Sequence, residues 1–273
     1  MPELPEVETI RRRLRDGSPD QPPLPGRTIE SAQVMWARSL ATPGVDEFYA
    51  RVAGQSVSDI GRRGKFMIIN LEQDALLVHL RMSGDLTVES QSDPCAPHHR
   101  LLLNFNGGIR LAFNDTRKFG RLWLVSDPQE VLAGLGPEPL EAEFTVELLY
   151  QGLQSTRRAL KPLLLDQSFL AGVGNIYADE ALNLAHLHPL TPANRVTPEQ
   201  AERLWSAIRS VLDEGINRHG ASIDWVYRGG DFQNYFRVYQ RAGEPCSECG
   251  ALVERIVVGQ RGTHYCPQCQ PLT

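Results

Sequence analysis

The stretch MPELPEVETI places an imino acid and three carboxylates at the head of the chain: Pro2, Glu3, Glu6 and Glu8. A small second residue lets the initiator methionine be removed, which leaves the secondary amine of Pro2 as the new terminus. An α-amino group titrates at about 8 against about 10.4 for lysine, so much more of it is free base at neutral pH. That makes Pro2 a candidate nucleophile with a carboxylate beside it. The same residues have a plainer use. Val7, Ile10 and Leu14 recur at helical spacing, proline is tolerated in a first turn, and acidic residues there offset the partial positive charge of a helix N-terminus. Ten residues alone do not separate the two readings.

A second set lies at the other end, in CSECGALVERIVVGQRGTHYCPQC, where Cys246 and Cys249 form one pair and Cys266 and Cys269 another. Two Cys-x-x-Cys knuckles can place four thiolates tetrahedrally, and a four-thiolate shell leaves no open position for substrate, so the pattern predicts one structural Zn2+. Redox or free cysteines would not explain paired knuckles on a tail too small for its own core. Between them, VERIVVGQRGTHYC alternates around Gly259 and Gly262 and predicts a two-stranded hairpin presenting Arg261 at its turn, with Gln260 beside it.

These groups need a scaffold. With 273 residues, 41% of them hydrophobic, the chain can bury a sizeable core, and two domains are the natural expectation. Residues 17–26 read as a Pro- and Gly-rich loop. From about 27 to 126, short apolar runs alternate with turn signals, among them NFNGGIRLAF, a strong hairpin signal at Asn106-Gly107-Gly108. This half predicts an antiparallel β-sandwich carrying one N-terminal helix. Composition turns acidic and proline-bearing near 128, and helical patterns follow at 145–153, 156–165, 175–186 and 198–217. A compact turn with Gly172 and Gly174 precedes Asn175, the arrangement by which helix-turn-helix units hold phosphate. The expected class is α+β, with boundaries at 1–130, 131–240 and 241–273.

The formal net charge of -5 argues globally against a polyanion surface, but basic clusters occur at Arg62, Arg63 and Lys65, at Arg117, Lys118 and Arg121, and at Arg157, Arg158 and Lys161. No run is long and apolar enough to span a bilayer, and the N-terminus lacks the apolar stretch of a secretory signal, which predicts a soluble protein of the cytoplasm.

MPELPEVE, GRRGKF at 61–66, GVGNIYADEAL at 172–182 and a four-cysteine ribbon containing QRGTHYC together resemble the bacterial formamidopyrimidine-DNA glycosylases, end to end. The resemblance implies a bifunctional glycosylase and abasic-site lyase, monomeric, acting on double-stranded DNA with oxidised bases or abasic sites. It implies Pro2 as nucleophile, Glu3 as catalytic acid, Lys65 in β-elimination and Arg261 in δ-elimination and phosphate gripping, with Glu6 ordering the first turn. It further implies Met82, Arg117 and Phe119 as the side chains that fill the gap left by a flipped nucleotide. His98, Arg157, Lys161 and Asn175 are implied as DNA contacts. In PHHR, Pro97 and Arg100 depart from the family wording, which leaves His99 as an alternative to His98. GASIDWVYRGGDFQNYF corresponds to the loop over the flipped base and also departs. Two other readings stay open: an endonuclease VIII type enzyme for oxidised pyrimidines, whose usual opening has glycine in place of Leu4, and a DNA-binding protein without lyase chemistry.

Overall fold

A computed structural model describes residues 1–222 and 229–272. Contacts divide the chain into two units, the first built on Met1–Ala133 and the second on Gly134–Ala221 and Gly230–Thr273.

The first unit opens with helix α1 (Leu4–Asp16), which carries Pro5 in its first turn and stops at Gly17, φ 79°. Thirteen residues make a marginal helix alone, so packing must hold it. Val7, Ile10 and Leu14 are essentially fully buried, each worth about 2 kcal/mol, and they join the sandwich core with Phe48, Ile60 and Met67. Strands β1 (Ile29–Val34) and β2 (Leu40–Thr42) precede helix α2 (Val45–Val52). Then come β3 (Val57–Arg63), β4 (Phe66–Leu71), β5 (Ala75–His79), β6 (Gly84–Ser90), β7 (His99–Phe105), β8 (Ile109–Asp115) and β9 (Arg121–Val125), and the short helix α3 (Gln129–Leu132). One sheet runs β1-β7-β8-β6, the other β2-β9-β5-β4-β3. The expected sandwich is present, and the β7–β8 hairpin turns at Asn106-Gly107-Gly108 with both glycines at positive φ. Two details differ: β2 pairs with β9 in parallel, and α2 is a second helix whose Phe48 and Val52 plug the core.

The second unit holds α4 (Val146–Gln154), α5 (Leu160–Leu164), α6 (Asn175–Leu184) and α7 (Pro198–Asn217). The expected helix at 156–165 is only five residues long. Ala159 instead bridges to Pro192, and an extended N-cap residue cannot also be helical. The longest helix, α7, starts with a capping box between Thr197 and Gln200 and has Pro198 at its first position. It approaches α6 so closely that a Cβ at Gly215 would sit 2.5 Å from the Tyr177 ring. The Tyr177 ring in turn stacks on Phe232 at 5.2 Å. The ribbon of β10 (Glu254–Val258) and β11 (Arg261–Tyr265) packs on α6. This is the α+β class expected. Among the described residues, no helix is long and apolar enough to cross a membrane.

Candidate functional site

In the first unit the N-terminal turn is locked from both sides. Glu3 is the N-cap of α1, its carboxylate accepts the Glu6 backbone N–H, and the Glu3 backbone N–H donates to Glu6 Oε2 at 2.8 Å. Glu6 thus has the ordering role expected of it. Pro2 and Glu3 are buried while Met1 is 43% exposed. Farther along α1, Arg62 Nε donates to Glu8 Oε2 at 3.3 Å, and Arg11 Nη1 donates to the Ile60 carbonyl at 3.2 Å. Residue 8 therefore lies by 62 and residue 11 by 60, a register that carries the N-terminus toward the turn after β3.

That turn is Gly64-Lys65, two residues between the paired Arg63 and Phe66, with Gly64 at φ 56°. A strand-end lysine is ordinarily solvated, yet Lys65 is 5% exposed. Beside it, burial, then the charges of Arg81 and Lys65, push the His79 pKa down to about 3. His79 Nδ1 accepts the Arg81 N–H at 3.0 Å, which leaves a neutral ring packed edge-on against Phe66. Burial alone would raise Glu8, but hydrogen bonds and charge from Arg11, Arg12 and Arg62 outweigh it and hold the carboxyl at about 2.

Two tips rise from the adjacent ends of β6 and β8. Met82, 40% exposed, stands in one between β5 and β6. Arg117 and Phe119 stand in the other between β8 and β9, with Phe119 48% exposed and the Arg117 guanidinium 5.1 Å from its ring centroid. Methionine and phenylalanine at that exposure, next to a cation, are apolar surfaces that a folded core has left out. His98 is exposed, whereas the alternative His99 is 2% exposed with its Nδ1 accepting the Ala96 N–H. Of the two, only His98 faces solvent.

In the second unit Arg157 is exposed ahead of α5. Lys161, expected as a DNA contact, is enclosed in the fold. Its side chain is fully buried, with Nζ 2.5 Å from Asp179 Oδ1 and donating also to the Gly262 carbonyl at 3.1 Å. Asn175 opens α6, and its Nδ2 donates to the same Gly262 carbonyl at 3.1 Å. The turn before it is pinned by Gln167, whose Oε1 accepts the Gly172 N–H and whose Nε2 donates to the Val173 carbonyl. Sequence reasoning singled out neither Gln167 nor three further side chains of α6 that hold the ribbon and the segment leading into it. Asp179 accepts the His264 N–H at 2.9 Å, Glu180 accepts the backbone N–H groups of Arg237, Val238 and Tyr239 at 2.8, 3.0 and 2.8 Å, and Asn183 donates to Gln270. A buried acid inside a helix was the available signal, because such a group must find donors.

In the ribbon, Gly259 and Gln260 occupy the two central turn positions at φ 55° and 63°, so Arg261 is the exposed first residue of β11 rather than the tip itself. The four cysteine sulfurs lie within 4.8 Å of one another, with Cys249 and Cys266 at 3.4 Å and Cys246 and Cys269 at 3.9 Å. Four thiolates at about 2.3 Å from a tetrahedral zinc stand about 3.8 Å apart. The donor set fits one structural zinc. Of the loop read as covering a flipped base, residues 223–228 lie outside the described residues.

Comparison with known proteins matches three segments of the chain. Residues 1–122 match the formamidopyrimidine-DNA glycosylase N-terminal domain, residues 135–226 its H2TH domain, and residues 243–272 the zinc finger found in FPG and IleRS. The chain is 49% identical over 280 residues to formamidopyrimidine-DNA glycosylase of Chloroflexus aurantiacus, covering 99% of this chain and 98% of that one. It is 44% identical over 279 residues to the Protochlamydia amoebophila protein of the same name, covering 99% of each. Among solved structures, Lactococcus lactis Fpg in complex with DNA containing N7-benzyl-Fapy-dG superposes with a TM-score of 0.92 at 36% identity, over 99% of this chain and 100% of that one. The same bacterium's Fpg with DNA containing an oxidised pyrimidine gives 0.91 at 35% identity, over 99% and 100%. With all three parts matched in order and the identity sustained over nearly the whole length, this chain belongs to the formamidopyrimidine-DNA glycosylase family.

Proposed function

We propose that this chain removes oxidised purines, 8-oxoguanine and formamidopyrimidines, from double-stranded DNA and then cuts the strand at the resulting abasic sugar. The observation that carries this reading is the placement of Pro2 and Lys65. A buried imino acid sits just ahead of the N-cap of α1, and a buried lysine sits in the two-residue turn toward which the start of that helix is carried. While Met1 is attached, Pro2 nitrogen is an amide and inert. Met1 is exposed to a peptidase, and its removal frees a secondary amine.

That amine attacks C1′ of the damaged nucleotide, forming the N–C1′ bond as the bond from C1′ to the base breaks and the base leaves with a proton. Glu3 passes a proton toward O4′ as the sugar ring opens, which leaves an iminium at C1′. A secondary amine gives an iminium that stays cationic without losing a proton, and this cation draws the electrons of strand cleavage. Lys65 assists loss of a C2′ proton with departure of the 3′ phosphate, and Arg261 holds the 5′ phosphate for the second elimination. Base flipping costs a few kcal/mol, and Met82, Arg117 and Phe119 fill the vacated space. His98, Arg157 and Asn175 contact the DNA backbone. Zinc closes the ribbon and takes no part in the chemistry.

Borohydride trapping tests the reading. Processed protein incubated with duplex containing 8-oxoguanine and then reduced should carry the adduct on Pro2. A second reading, oxidised pyrimidines as the main substrate, draws on the solved relative bound to such DNA. Adduct formed only with an oxidised pyrimidine would favour it. Absence of any adduct with Met1 removed and zinc bound would leave a DNA-binding protein without lyase activity.

A further inference from the structure

We propose that Asp115 is a positioning residue that joins the Met82 tip to the Arg117–Phe119 tip, so that the three side chains enter a duplex as one preassembled wedge. The inference rests on the function proposed above. Asp115 ends β8 directly opposite Gly84, the first residue of β6, and is fully buried. Its Oδ1 accepts the Ser83 hydroxyl from the first tip and the Arg117 N–H, at 3.1 Å, from the second. Its Oδ2 accepts the Gly120 N–H at 2.7 Å. The Asp115 main chain fastens the entry to β7: its N–H donates to the His98 carbonyl at 2.9 Å, and its carbonyl accepts Arg100 Nε at 2.7 Å.

One carboxylate therefore holds residues on both sides of the exposed apolar side chains. The backbone around it has little freedom. A Cβ at Gly84 would sit 2.5 Å from the Leu80 carbonyl oxygen, and one at Gly120 would sit 2.4 Å from Phe113 Cζ. Arg81 and Lys118, flanking the exposed residues, are held in the left-handed region at φ 54° and 61°. A wedge whose halves moved independently would lose that freedom on insertion and weaken the step that opens the duplex. Two tips ordered beforehand on a shared acceptor avoid that loss.

Asparagine at 115 keeps one acceptor but turns a donor toward an N–H, so Asp115→Asn separates clasp from shape. A single-stranded abasic oligonucleotide needs no wedge, because its sugar is already accessible. The expected result for D115N is a fall in excision of 8-oxoguanine from duplex of about tenfold to a hundredfold, matching loss of one or two buried charged hydrogen bonds. Opening, read by 2-aminopurine fluorescence beside the lesion, should slow in parallel. Borohydride trapping on single-stranded abasic DNA should stay at the wild-type rate. Ser83→Ala, which removes one arm of the clasp and leaves the carboxylate, should fall between. If D115N lowers both substrates equally, or if D115N or S83A opens duplex as fast as wild type, the inference is overturned. Should D115N fail to fold, S83A decides alone by the same criteria. Wild-type protein that traps on neither DNA would instead sink the proposed function, and the inference with it.

Discussion

Lys65 shows how much a single position can hold back from its sequence. A lysine after Arg-Arg-Gly reads as a solvated cation, and only the resemblance assigned it chemistry, yet the turn encloses it. If it serves the elimination steps, Lys65→Ala lowers strand cleavage at an abasic site by about a hundredfold, the usual worth of a positioned acid or base. Borohydride adduct at Pro2 should persist, and peptide mass checks both. Protein that retains Met1 should form no adduct at all. Glu8 gives a test free of DNA. Its folded pKa of about 2 lies below its ordinary 4.5. Its stabilisation is therefore complete above pH 4.5 and lost as pH falls toward 2, on the order of 3 kcal/mol in all. Urea midpoints for wild type and Glu8→Gln should differ most at pH 7 and converge near pH 2. Lys161 marks the opposite limit. Its partner Asp179 lies 18 residues on and a further acceptor, Gly262, belongs to the ribbon, so no local pattern announced that the charge was already matched.

Among the elements, those legible from sequence were the ones built from neighbours in the chain. The β7–β8 hairpin followed from Asn106-Gly107-Gly108, and α7 from the helical pattern at 198–217. Pairings between distant segments were not legible: the parallel β2–β9 contact joins residues about eighty apart, and α5 is cut short by a bridge to Pro192. The four cysteines could be read in advance because tetrahedral thiolate geometry allows few spacings. Removing zinc, or replacing Cys246 with Ser, should unfold the ribbon, since a structural zinc contributes on the order of 10 kcal/mol or more. Retained binding of abasic duplex by zinc-free protein, measured by fluorescence anisotropy, would contradict a ribbon role in DNA holding.

For the molecule as a whole, a net charge of -5 coexists with a DNA substrate because binding reads the local field rather than the sum. If phosphate contacts by Arg157 and Arg261 dominate, the logarithm of affinity falls linearly with the logarithm of salt, with a slope of about -0.9 per phosphate neutralised. Each of these arginines changed to alanine should shallow the slope by about one. A slope that does not respond would place the charge contacts elsewhere.

The way α6 holds the ribbon has a consequence for modularity. Asn175 and Asp179 reach main-chain atoms of the ribbon at Gly262 and His264, and Glu180 reaches those of the segment leading into it, residues 237–239. Main-chain atoms are common to every sequence, so the helix recognises the path of the ribbon more than its side chains. A ribbon transplanted from a distant relative should dock on this helix provided it keeps the same path and the glutamine at 270, and such a graft could change what the ribbon presents to DNA without rebuilding what it stands on.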